Sequence, residues 1–216
     1  MTNEKPTIVA VLKADEIIGT GHLMRVKTIL NYFKDYNLAL VGDSLSEALL
    51  PLCKEFSEIT ITSKDKLASS VLAFHPALCI IDHYYLDASF EEQIYPYTKV
   101  VVIDDLVNRK HQCHMLFDSW VLRQDKEYQS LVNNDCILCV GHDYNYVKEA
   151  FSKLHHTVSK TGLPRVLVNF GGSDPAHACL LKRRSNFLKR RKNFVERRFD
   201  FFFRSLVGKE RACAVK

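Results

Sequence analysis

Apolar residues in this chain fall into short continuous runs, and between the runs they return at helical spacing. TIVAVLKAD (7–15) is rich in β-branched residues and predicts a strand, while GHLMRVKTILNYFKDY (21–36) predicts a helix. LALVGD (38–43), EITITS (58–63), ALCIIDHY (77–84), KVVVIDDL (99–106), CHMLFDSW (113–120) and CILCVGHDY (136–144) predict further strands. SLSEALLPLCKEF (44–56) predicts a Ser-capped helix strained in its middle by Pro51. KLASSVLAFH (66–75), DASFEEQIYPY (87–97, with Asp87 as cap) and VKEAFSKLHH (147–156) predict helices, and RVLVNFGGSDP (165–175) predicts a strand that ends in a glycine turn.

Strands with unbroken apolar runs, separated by helices, imply an α/β fold: a Rossmann-like parallel sheet covered on both faces. The expected division is an N-terminal Rossmann-like domain over 1–156, a linker at 157–164, the start of a second domain at 165–181, and a tail at 182–216. Polar residues gather where the strands end: Asp15, Asp82-His83-Tyr84, Asp104-Asp105 and Gly171-Gly172-Ser173-Asp174. In open α/β sheets ligands bind outside the carboxyl ends of the strands, so these clusters are expected to line one crevice.

Composition changes this picture in three places. No run of 18 or more apolar residues occurs and the first residues lack the pattern of a signal peptide, so a cytoplasmic chain with no membrane partner is expected. The seven cysteines are expected to be reduced and mostly buried; Cys136 and Cys139 have a redox or zinc spacing, but along a strand that spacing points them to opposite faces. The net charge of +5 is unevenly spread. Residues 182–216 carry 13 Lys or Arg against 3 Asp or Glu, a balance of +10, which leaves 17 against 22, or −5, for the rest. That tail motivates one alternative, a non-enzymatic binder of nucleic acid or another acidic surface; its phenylalanine runs argue against a nucleic-acid groove.

The stretch IIGTGHLMR (17–25) has the richest chemistry. A strand, a glycine turn and a helix start make an anion site, because free backbone N–H groups and the positive end of the helix dipole point at it. Gly19 and Gly21 allow close approach of a ligand, while the pattern is neither G-x-G-x-x-G nor a Walker loop. His22 can accept a proton from water or a hydroxyl, or it can simply cap the helix. The acids at 82, 104, 105 and 118 can bind a metal, orient a histidine or cap a turn.

Taken in order, KADEIIGTGHLMR, CIIDHYYLD, VVVIDDLVNRKHQCHMLFD, ILCVGHDYNYVKEAF and RVLVNFGGSDP resemble the UDP-sugar hydrolases of pseudaminic acid biosynthesis, which act on UDP-2,4-diacetamido-2,4,6-trideoxy-β-L-altropyranose, and related spore-coat polysaccharide proteins. The resemblance spans roughly residues 7–181. It implies a glycosyltransferase-B-like architecture, here with an incomplete second domain. It also implies hydrolysis of a UDP-sugar at the anomeric carbon by water, with inversion, in the making of surface polysaccharide or flagellin sugars, without metal or cofactor. By position, the resemblance makes His22 the base and assigns substrate contacts to Asp15 and Tyr84; Gly19 and Gly21, and the second glycine turn at Gly171, Gly172 and Ser173, are expected to face the diphosphate from their places before helix starts. The chain departs from the family at Val26 after "MR", at "GHDY" (141–144), and beyond residue 181, where the expectation is a truncated or frameshifted member. A glycosyltransferase of the same architecture, with a sugar or lipid acceptor in place of water, is the nearer alternative.

Overall fold

Seven short strands, the central ones apolar runs buried on both faces, form a single parallel sheet in the order β3-β2-β1-β4-β5-β6-β7. The structure is a computed structural model that describes residues 5–15 and 18–145. The strands are β1 (Thr7–Leu12), β2 (Asn37–Gly42), β3 (Glu58–Ile61), β4 (Leu78–Asp82), β5 (Lys99–Ile103), β6 (Met115–Asp118) and β7 (Ile137–Val140). The expected Rossmann-like α/β sheet is therefore present. The predicted helix at 147–156, the linker, the second-domain segment and the basic tail lie outside the described residues, as do Gly171, Gly172 and Ser173.

Alternation along the strands builds two cores. Val9, Val11, Val41, Cys79, Ile81, Val100 and Val102 point to one face, where they meet α2 (Leu67–Leu72) and α3 (Ala88–Ile94) through Leu67, Val71, Phe90 and Ile94. Ile8, Ala10, Leu12, Leu40, Ile80 and Ile103 point to the other, where α1 (Gly21–Leu30) covers them with Leu23, Val26 and Leu30. Helices on both faces of a parallel sheet are the doubly wound arrangement.

Several elements are shorter than predicted, and one differs in kind. The predicted helix at 44–56 is a 3₁₀ turn at Glu47–Leu52 with Pro51 inside it. Proline removes an N–H donor and crowds the preceding turn, which disfavours an α-helix there. The predicted helix at 21–36 ends at Leu30, and the predicted strands at 113–120 and 136–144 form ladders only over β6 and β7. α3 starts where expected: the Asp87 carboxylate accepts the Ser89 N–H at 3.0 Å.

The order of strands places the crevice. β1 runs outward to β2 and β3, and the chain then crosses back to lay β4 on the other side of β1. Leu12, the last residue of β1, lies opposite Asp82, the last residue of β4. This is the topological switch point, where the loops after neighbouring strands diverge and leave room for a ligand.

Candidate active site

The loop after β1 is tied by its own backbone. Asp15 accepts the Ile18 N–H on its carboxylate at 2.8 Å, and its carbonyl accepts the Gly19 N–H at 2.7 Å. Gly19 has φ 79°, a left-handed conformation that suits glycine. Asp15 thus shapes the loop, and Lys13 sits 3.8 Å from its carboxylate. Gly21 opens α1, and a Cβ added there would meet nothing within 4 Å, so the space before the helix is open.

The next residue, His22, is buried, and its Nδ1 hydrogen-bonds Asp82 Oδ1 across the switch point. One helical turn on, Arg25 forks onto the same carboxylate: Nε donates to Oδ2 at 2.9 Å and Nη2 to Oδ1 at 2.7 Å. Its remaining terminal nitrogen, Nη1, reaches Asp105 Oδ2 at 2.6 Å. Tyr84 closes the ring of contacts. Its hydroxyl donates to Asp105 Oδ2 at 3.3 Å, and its ring meets the His22 imidazole edge to face with centroids 4.4 Å apart.

These partners assign the tautomer of His22. A carboxylate held by a bidentate guanidinium is ionised and can only accept, so Nδ1 carries the proton and donates it. Arg25 Nη2 also lies 3.0 Å from Nδ1, yet two donors cannot hydrogen-bond each other, so the Nη2 proton goes to Asp82. Nε2 is left with its lone pair, and among the described residues nothing hydrogen-bonds to it. Burial, and next the Asp105 carboxylate, push the Tyr84 phenol up, which keeps it a neutral donor.

No protein-family model matches the chain, and no curated protein matches it.

His83 is a strap. Its Nδ1 accepts the Tyr85 N–H at 3.1 Å and its Nε2 faces Asp43 Oδ1 at 3.1 Å, tying the end of β4 to the end of β2. Burial lowers its pKa, against the opposing pull of Asp43. Asp104, beside Asp105, turns inward: Oδ2 accepts the Val107 N–H at 2.9 Å, and Oδ1 pairs with Arg109 at 2.7 Å. Asp118 holds the turn after β6, with the Trp120 N–H donating to it at 2.8 Å and Arg123 paired to it. Of the three roles open to the strand-end acids, Asp82 orients a histidine while Asp104 and Asp118 cap turns. Among the described residues, no group of three or more His, Cys, Asp or Glu is arranged to hold a metal ion, and no helix is long and apolar enough to cross a membrane.

The structure brings His22 and Tyr84 together, with Gly19 and Gly21 leading into them. Arg25 was not expected in the site from sequence, and Asp105 only as part of the strand-end cluster Asp104-Asp105. The available signal for Arg25 was its spacing three residues after His22 on one helix face. Asp105 offered none beyond standing at a strand end.

Proposed function

We propose that this chain is a nucleotide-sugar hydrolase that releases UDP from UDP-2,4-diacetamido-2,4,6-trideoxy-β-L-altrose by attack of water at the anomeric carbon. The observation that carries the reading is the imidazole of His22, aimed by Asp82 at the switch point with Nε2 left as an acceptor. The five sequence blocks supply the substrate class.

In the step, the water oxygen bonds to the anomeric carbon as its proton passes to His22 Nε2. The bond from that carbon to the diphosphate oxygen breaks, and its electron pair leaves with UDP. Attack opposite the leaving group inverts the centre. A base positioned this way contributes roughly 10²–10⁴-fold. Asp82 accepts from Nδ1 and steadies the imidazolium, Arg25 holds Asp82 in place, and the Tyr84 ring limits rotation of the imidazole. The open N-terminus of α1 offers N–H groups to the departing diphosphate.

The test is UDP release by the full chain in ¹⁸O-water without any acceptor. One heavy oxygen is expected in the free sugar and none in UDP. Release that requires an added sugar or lipid acceptor would assign a transferase instead. His22→Ala is expected to abolish turnover while UDP affinity, read by calorimetry, is retained; a parallel loss of affinity would make His22 a binding residue.

A further inference from the structure

The Cys136 thiol does not turn toward Cys139, its partner in the sequence motif. Its sulfur lies 3.5 Å from that of Cys113, 23 residues away. Both side chains pack in the same hydrophobic cluster, Cys113 fully buried and Cys136 partly exposed. Asn133 holds the two backbones: its side-chain oxygen accepts the Cys113 N–H at 3.0 Å, and its carbonyl accepts the Cys136 N–H at 3.0 Å. Both cysteines stand just ahead of the ladder that begins at Met115 and Ile137. An S–S bond is about 2.05 Å long, so the sulfurs have only to close from 3.5 Å. Side-chain torsion supplies the remaining approach.

We propose that Cys113 and Cys136 are a site of reversible oxidative modification, a dithiol that hydroperoxides convert to a disulfide.

The two sulfurs have different roles. The hydrogen bond between the two thiols lowers the pKa of Cys136, against its partial burial, while that same bond and then burial push the Cys113 thiol up. Cys136 is the thiol that ionises more readily, and it is the one that solvent reaches. Its sulfur attacks a peroxide oxygen, the O–O bond breaks, and hydroxide (or alkoxide) leaves, giving Cys136 sulfenic acid. The Cys113 sulfur then attacks the sulfenic sulfur, its proton leaves with the displaced hydroxide as water, and the S–S bond forms. Two thiols are oxidised and one peroxide is reduced to two waters, or to water and an alcohol. A low-molecular-weight thiol reverses the change by exchange. The pair sits at the amino ends of β6 and β7, at the opposite end of the parallel sheet from His22, so the inference is independent of the reaction proposed above.

Peptide mapping of the full chain tests it. The protein is exposed to hydrogen peroxide, its remaining thiols are alkylated under denaturing conditions, and it is cut with trypsin. Arg123 and Lys126 lie between the two cysteines, so trypsin separates them unless a disulfide joins the fragments. The expected result is a linked Cys113–Cys136 fragment pair, with a mass loss of two hydrogens, that dithiothreitol splits. Cys136 found as sulfinic acid with Cys113 still alkylated would overturn the proposal, as would Cys113 and Cys136 both alkylated. In Cys113→Ala, Cys136 is expected to run on to sulfinic acid; a Cys136 state unchanged from that of the wild type would also overturn it.

Discussion

A single guanidinium holds both acids of the site, because Arg25 reaches Asp82 with two nitrogens and Asp105 with a third. Lysine offers one point charge in place of that fork, so Arg25→Lys keeps the charge and loses the alignment. Turnover is expected to fall by about 10-fold or more in kcat, at a UDP affinity near that of the wild type. Asp82→Asn goes further. An amide can donate to Nδ1, which stabilises the tautomer whose lone pair faces the wrong way. The expected loss in kcat is about 10²–10⁴-fold with the fold intact by circular dichroism. A loss in KM alone would show that Asp82 binds substrate and does not orient His22. Removing the arginine altogether, as in Arg25→Ala, leaves a buried carboxylate with one cation fewer, and a stability loss of about 3–5 kcal/mol by denaturant unfolding is expected.

At the scale of elements, two residues join strands that their own segments do not cover. Gly42 ends β2 against the backbone of β1: a Cβ there would stand 2.5 Å from the Leu12 carbonyl oxygen. Gly42→Ala forces the strands apart next to the site, and a loss of about 1–3 kcal/mol is expected from urea melts. Tyr128 lies in the connection from β6 to β7. It is fully buried, and its hydroxyl lies 2.8 Å from Asp104 and 2.9 Å from Asp118. One hydroxyl proton serves one carboxylate at a time, and Arg109 and Arg123 pair with these acids as well. Tyr128→Phe takes that donor from two buried charges, so about 1–3 kcal/mol is expected to be lost.

Seven strands were legible because most are continuous apolar runs between polar breaks, which a parallel sheet buries on both faces, while EITITS at the edge showed itself by alternation. Element ends were less legible. Apolar residues at Tyr32, Trp120, Val121 and Leu122 extend the pattern, but in the fold they are exposed. The same limit held in the site. His22 and Tyr84 lie within distinctive local stretches, whereas Arg25 and Asp105 become site residues only when β1, β4 and β5 stand side by side. The thiol pair was hidden for that reason too: Cys113 and Cys136 stand 23 residues apart, and only the folded chain brings their sulfurs together.

For the whole molecule, acid is expected to act in two stages. Burial holds His83 neutral below the usual histidine range, so as pH falls the unfolded chain takes that proton first and stability declines. Burial pushes the Asp104 carboxyl up, but the Val107 N–H, Arg109 and Tyr128 outweigh it and lower the pKa. Its contribution is present above the ordinary aspartate range and is lost as pH falls through the lowered folded value. Thermal melts from pH 7 to pH 3 are expected to show Tm falling throughout. His83→Gln is expected to flatten the upper part of that fall relative to wild type, and Asp104→Asn the lower part.

The adjacency of β1 and β4 also orders events in time. His22 and Asp82 are 60 residues apart in the chain, and β2 and β3 are formed from the sequence between them. Closing so long a loop costs entropy before any contact repays it. A chain still emerging from synthesis can complete the β1–β2 pair early, yet His22 has no carboxylate to face until residue 82 has docked. Protection of the β4 amides in pulsed hydrogen exchange would therefore mark the moment at which the centre of the sheet closes and the His22 imidazole meets its carboxylate, a clock for assembly.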